Sequence, residues 1–300
     1  MEPEVLGPIL DVFEPPGDSH QIRDASSQQI TPDSVFQPAN SNNRAVIHRI
    51  LDELVLPQST FSNVERIDEF ADLSARGEPC LILMEHYSNF DIPCLYYLLE
   101  KAGRKEIADR ILAVAGMKLN EESSFVSSFA EAYTRLVIYP SRSLSRLRET
   151  DPEAYAQEEQ RSRKINMAAT RTMIRLKHAG HLVLVFPSGT RYREGEPETK
   201  RGVKEVDSYI KSFDHVLFIG VAGNVLRIHP SGDMSRDLAT RDLMVLHASP
   251  IVSCSDFRAS VRAGAGNEDP KQCVADAVMQ QLDELHTEAE RIRHRRLAES

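Results

Sequence analysis

Two short segments of this 300-residue chain hold residue types capable of chemistry. In CLILMEHYSNFDIPCLYYLL, His86 follows an apolar run, and Asp91 comes five residues later, where a helix is predicted to begin. A turn of that length folds back so that the carboxylate holds one imidazole nitrogen. The other nitrogen is then a general base toward an alcohol. Ser88 or Asn89 is placed to cap the helix, and Pro93 is tolerated in its first turn. In HLVLVFPSGTRYREGEP, Pro187, Ser188, Gly189 and Thr190 follow a second apolar run, with Arg191 and Arg193 next. Gly189 lets the backbone approach an anion, Thr190 offers a hydroxyl and an N–H, and two guanidinium forks suit a phosphate. Each segment also has a plainer reading: a capping Asp beside a surface His, and a βα turn with surface arginines. Both turns leave the carboxyl ends of strands, where α/β sheets bind ligands. A base and a phosphate clamp in one crevice fit transfer to the hydroxyl of a phosphorylated alcohol.

Other reactive side chains have bland explanations. His178 and His181 have no further ligands at metal spacing, so no metal is expected. His229, before Pro230, suits a turn, and Cys94 suits a core helix position. The run RIRHRR at residues 291–296 reads as a helix end favoured by the dipole, with contact to anionic lipid as the alternative.

Positioning the two turns requires a sheet. Apolar runs at residues 80–84, 111–115, 135–139, 182–186, 216–221 and 243–246 predict buried strands. Helical patterns at residues 92–102, 121–133, 152–178, 203–213 and 270–296 lie between and after them. Strands separated by helices predict an α/β fold, a mixed and mostly parallel sheet flanked by helices. Residues 44–75 are helical in pattern, and residues 1–44, rich in Pro, Ser, Gln and Asn, read as a poorly ordered arm. The alternative for that arm is an extended segment packed along the domain by Val12, Phe13, Val35 and Phe36. The expected division is an N-terminal arm and helical extension over 1–75 and an α/β domain over 76–300. SRSLSRLR, from Ser141, reads as a basic connection to a long charged helix.

Composition removes several classes. A formal charge of −9, from 36 basic and 45 acidic residues, argues against a protein that coats nucleic acid. Cys80, Cys94, Cys254 and Cys273 are widely spaced and form no CxxC pair, so they read as reduced thiols. No segment approaches the ~20 apolar residues of a membrane span, and the N-terminus has no basic n-region. The expected location is cytoplasmic, soluble or peripherally attached to a membrane.

With these residues in hand, the chain resembles the glycerolipid acyltransferases, the glycerol-3-phosphate and lysophosphatidate enzymes. His86 to Asp91 matches their H-x4-D motif, and Phe186 to Val203 (FPSGTRYREGEPETKRGV) matches F-P-E-G-T-R with its following glycine and K-x-G. RLVIYPSR, ending at Arg142, matches the middle motif, and LFIGVAGN stands at the fourth without its proline. The comparison covers about half the chain. Ser188 stands where most members carry glutamate, as in the soluble plastid-type glycerol-3-phosphate enzymes. The resemblance implies transfer of a fatty acyl group from acyl-CoA or acyl carrier protein to the sn-1 hydroxyl of glycerol 3-phosphate. His86 and Asp91 would be catalytic. Arg142, Arg191 and Arg193 would bind phosphate, with Ser188, Gly189 and Thr190 supporting them. No cofactor is implied beyond the thioester co-substrate. The alternatives are acylation of lysophosphatidate at sn-2, and a non-catalytic protein that binds acyl chains or acyl carrier protein.

Overall fold

The computed structural model describes residues 3–13, 29–117 and 129–299, without the side chains of Arg142 and Arg146. In chain order the first elements are β1 (Glu4–Pro8), α1 (Ile9–Phe13), β2 (Phe36–Gln37), α2 (Ser41–Leu54), β3 (Thr60–Ser62), α3 (Val64–Ala75) and β4 (Cys80–Met84). Next come α4 (Asp91–Lys101), α5 (Lys105–Ala108), β5 (Ile111–Gly116), β6 (Arg135–Ile138), α6 (Ser141–Thr150), α7 (Pro152–Lys177) and β7 (Leu182–Val185). The last are α8 (Val206–Ser212), β8 (His215–Ala222), β9 (Leu226–Arg227), β10 (Leu238–Arg241), β11 (Val245–Ala248), β12 (Val252–Ser253), α9 (Cys254–Gly264) and α10 (Pro270–Ala298). The chain is α/β, with mixed, mostly parallel strands flanked by helices. It divides into two compact units, one from residues 1–14, 48–111 and 177–300, the other from 15–47 and 112–176.

In the first unit β4 lies between β7 and β8 and is parallel to both. Every residue of β4 (CLILM) is buried, and a strand covered on both faces must be apolar throughout. β8 pairs antiparallel with β11 and β12, and β3 joins parallel to β11. Helix α10 starts on an Asp269 carboxylate that accepts the Lys271 N–H, with Pro270 in its first turn. It then lies on β8 and β11. The approach is close: a Cβ on Gly220 would stand 2.6 Å from the Leu285 carbonyl carbon, so only glycine fits. β1, β10 and β9 form a separate small antiparallel sheet.

In the second unit β6 pairs parallel with β5 and antiparallel with β2. Asn166 pins α7 there by donating to the Tyr139 carbonyl and accepting the Tyr139 N–H. Ile165 and Ala169 turn their buried sides the same way.

Several elements depart from the sequence pattern. Residues 3–13 form β1 and α1, anchored by a buried Ile9, while Ile30 and Val35 are buried further along. Residues 44–75 contain parts of two helices with β3 between them. The serine-rich connection after Tyr139 is the helix α6, and Cys254–Gly264 is a helix capped by Ser253, whose hydroxyl accepts the Asp256 N–H. Most of the helix expected over 121–133 lies outside the described residues. Among the described residues no helix is long and apolar enough to cross a membrane.

Candidate active site

His86 leaves the end of β4, and the chain doubles back into α4 with Asp91 as its first residue. The turn is held by its own hydrogen bonds. Ser88 Oγ accepts the Phe90 N–H at 2.8 Å, and the Ser88 carbonyl accepts the Asp91 N–H at 3.3 Å. Ser88 thus shapes the approach to the helix, while the residue at the cap is Phe90, and Asn89 instead turns its amide to the Met234 sulfur.

Asp91 is 1% exposed. Its Oδ2 accepts the Tyr87 N–H at 2.7 Å and the Ser88 N–H at 2.9 Å, and lies 2.8 Å from His86 Nδ1. An oxygen already accepting two backbone N–H groups has no proton to give, so the ring nitrogen is the donor. Nδ1 of His86 carries hydrogen, and Nε2 keeps the lone pair. Phe186 stacks on the imidazole, with ring centres 3.8 Å apart and planes within 7°, and His86 O accepts the Tyr192 N–H at 2.8 Å. The two sequence segments therefore meet: the residue that starts the second turn fixes the ring of the first.

In that second turn Gly189 takes φ +65°, a left-handed conformation suited to glycine. Its N–H closes the turn on the Phe186 carbonyl, and Ser188 Oγ donates to the Thr190 carbonyl. The two arginines have different surroundings. Arg191 is 7% exposed and forms an ion pair with the fully buried Asp237. Burial pushes the Asp237 carboxyl up, against the pull of Arg191 and the His229 N–H. Arg193 is 42% exposed and makes only a loose pair with Glu196 at 3.6 Å. Arg142 lies in the first turn of α6, with its side chain outside the described residues.

A third layer lies beneath the His86 turn. Glu85, 3% exposed, accepts the Tyr87 hydroxyl at 2.7 Å and the Val221 N–H at 2.8 Å, and lies 3.2 Å from His286 Nδ1. The same Nδ1 is 2.8 Å from the Val221 carbonyl, which can only accept, so Nδ1 is protonated and shared between two oxygens. The hydrogen bond to Glu85 raises the His286 pKa above its ordinary value. Burial, with Glu85 beside it, pushes the Tyr87 hydroxyl far above its usual range, keeping it a donor.

Tyr87 also lines two cavities. His86, Ser188, Tyr192 and Lys200 border one of about 10 Å³, room for a single water. On the other side Asn224, Arg227, His286 and Arg293 help line a cavity of about 620 Å³, within the size range of ligand pockets.

A base oriented by a buried carboxylate, at the carboxyl ends of parallel strands, is machinery for deprotonating a hydroxyl. A family model described as Acyltransferase matches residues 59–249 of the chain. The chain belongs to the acyltransferase family. Membership makes it an acyltransferase of the kind that works in glycerolipid synthesis, with an acyl donor and an acceptor from that chemistry as general substrates. A comparison with curated proteins finds no match.

Sequence reasoning singles out His86, Asp91 and the Ser188 turn, which the fold brings together through Phe186, but not Glu85, Tyr87, Lys200 and His286 around them. Glu85 carried a readable signal, because an acid ending a buried strand needs partners. His286 carried none, since it stands 201 residues from Glu85.

Proposed function

We propose that the chain transfers a fatty acyl group from acyl-CoA or acyl carrier protein to the sn-1 hydroxyl of glycerol 3-phosphate, giving lysophosphatidate. The supporting observation is the saturated Asp91 oxygen, which fixes the His86 tautomer and leaves Nε2 as the base. Nε2 takes the hydroxyl proton as the oxygen attacks the thioester carbonyl. Asp91 stabilises the imidazolium that forms. The tetrahedral oxyanion collapses, the C–S bond breaks, and the imidazolium returns its proton to the leaving thiolate. A thioester is already activated, so neither an acyl-enzyme nor a metal is needed.

The phosphate falls to Arg193, whose side chain is 42% exposed, and to Lys200, which pairs with Asp283 and borders the His86 cavity. Arg191 supports the turn through Asp237. The oxyanion donor is not among several nearby N–H groups. Those of Tyr87, Ser88, Phe90, Asp91 and Gly189 all have partners already.

The test is product identification by mass spectrometry in parallel reactions with glycerol 3-phosphate and with lysophosphatidate, each with both thioesters. Lysophosphatidate from the first acceptor is the expected product. Phosphatidate from the second, with no conversion of the first, would assign the chain to sn-2 acylation.

A further inference from the structure

The second half of α7 presents one face to solvent. Arg163, Lys164, Met167, Thr170, Arg171, Ile174 and Arg175 are all exposed, and their spacing of three and four residues stacks them along one side. The opposite side is fixed by buried Ile165 and Ala169 and by the two hydrogen bonds of Asn166 to Tyr139. The exposed strip runs about 18 Å, from the twelve helical steps between Arg163 and Arg175.

Its composition is unlike the rest of the chain. The protein carries −9 overall, yet this strip has four cations and no carboxylate. Arg163 is paired with Glu159, one turn back. Among the described residues Lys164, Arg171 and Arg175 have no carboxylate partner. Met167 and Ile174, 51% and 49% exposed, are two of the three large apolar side chains left in solvent among the described residues, the third being Val5. They are seven residues apart and share the strip with the cations.

The basic run at the end of α10 contrasts with it. In residues 291–296, Arg291 pairs with Glu288, Arg293 with Asp242 and Glu290, and His294 with Glu290, while Arg296 donates to the Gln58 carbonyl. Arg293 and Arg296 thereby tie α10 to neighbouring segments. In α7 the cations Arg161 and Arg163 pair along the helix and Lys177 donates to the Ser212 carbonyl, whereas Lys164, Arg171 and Arg175 have no carboxylate partner among the described residues.

We propose that this face of α7 docks on an anionic phospholipid surface, with Lys164, Arg171 and Arg175 at the headgroup phosphates and Met167 and Ile174 inserted between them. Basic residues flanking exposed aliphatic ones on a helix lying in the interface plane suit such a surface. Each cation near an anionic bilayer contributes about fivefold to partition. Charge supplies most of the affinity, because two aliphatic side chains bury little area. The inference does not depend on which acceptor is acylated, since it is read without turnover.

The full chain is sedimented with vesicles of phosphatidylcholine alone and of phosphatidylcholine mixed equally with phosphatidylglycerol. Binding to the mixed vesicles, weak binding to the neutral ones, and release on raising the salt are expected. The triple variant Lys164→Gln/Arg171→Gln/Arg175→Gln changes exposed positions, and circular dichroism checks its fold. It should lose at least about tenfold in partition to the mixed vesicles, and Met167→Ser/Ile174→Ser should lose a smaller share. The proposal is overturned by absence of binding to the mixed vesicles, or by a folded triple variant that binds them as the parent does. It is equally overturned if the strip's cations prove necessary for binding an acyl carrier protein, assayed in parallel, while vesicle binding does not depend on them.

Discussion

A carboxylate oxygen that accepts two backbone N–H groups and one ring N–H is held more firmly than any single contact could hold it, and His86 inherits that rigidity. His86→Ala removes the base together with one of the three N–H groups that Asp91 accepts, while the Tyr87 and Ser88 N–H groups still hold the turn. Turnover should drop at least about a hundredfold while the chain stays folded. Asp91→Asn should be comparably impaired, because its amide oxygen can accept the same N–H groups but no charge remains to stabilise the imidazolium. Near-normal turnover of folded His86→Ala would remove the mechanism. The arginines should separate by assay. Arg191→Ala leaves Asp237 buried without its cation, which costs about 3–5 kcal/mol of stability by denaturant unfolding. Arg193→Ala should leave stability unchanged and raise the acceptor KM roughly ten- to a hundredfold. The spacing of Arg191 and Arg193 suggested twin clamps. The difference between them comes from Asp237, 46 residues on, which no local pattern reveals.

The Glu85–His286 contact gives a signed pH dependence. Its hydrogen bond raises the His286 pKa in the folded chain above the ordinary histidine value near 6.5. Protonation therefore favours folding. The contribution is complete below the unfolded pKa and is lost as pH rises through the raised one. Urea unfolding of the parent and of His286→Gln, from about pH 5.5 to about pH 9, should show a stability gap that narrows with rising pH. A gap that stays constant would assign His286 a packing role alone.

Contact between helix and strand brings His286 to Glu85, and Gly220 permits it. Gly220→Ala would force a Cβ to within 2.6–2.8 Å of α10 main-chain and Leu285 atoms, which cannot yield as a flexible side chain tip would. Overpacking of this kind costs about 1–3 kcal/mol. The variant should melt earlier and lose turnover as His286 moves away from Glu85. Full stability in Gly220→Ala would mean that α10 is free to shift. The central strands were legible because burial on both faces demands continuous apolar runs, as in β4, bounded by Gly77 and Pro79. Helix α6 was not, because only Leu144 and Leu147 are apolar among its ten residues, too few to mark a buried face. β1 escaped for another reason: its partner β10 lies more than 200 residues away, and pairing across that distance leaves no mark on a five-residue segment.

Taken together, the charge and hydrophobicity of the chain bear on where its substrates meet. Acidic balance keeps most of the surface away from anionic lipid, while α7 presents a compact basic strip. Glycerol 3-phosphate is water-soluble, so an enzyme using it meets its acceptor in bulk water and needs lipid only for the acyl chain. Lysophosphatidate partitions into bilayers, and its acylation rate depends on its surface fraction. If the acceptor is glycerol 3-phosphate, the initial rate in buffer free of detergent and vesicles should stay within about twofold of the rate with phosphatidylcholine vesicles present. Initial rates measured across a vesicle titration, with donor held constant, provide the check. A rate near zero without vesicles, rising steeply as they are added, would move the acceptor into the membrane and count for the sn-2 reaction.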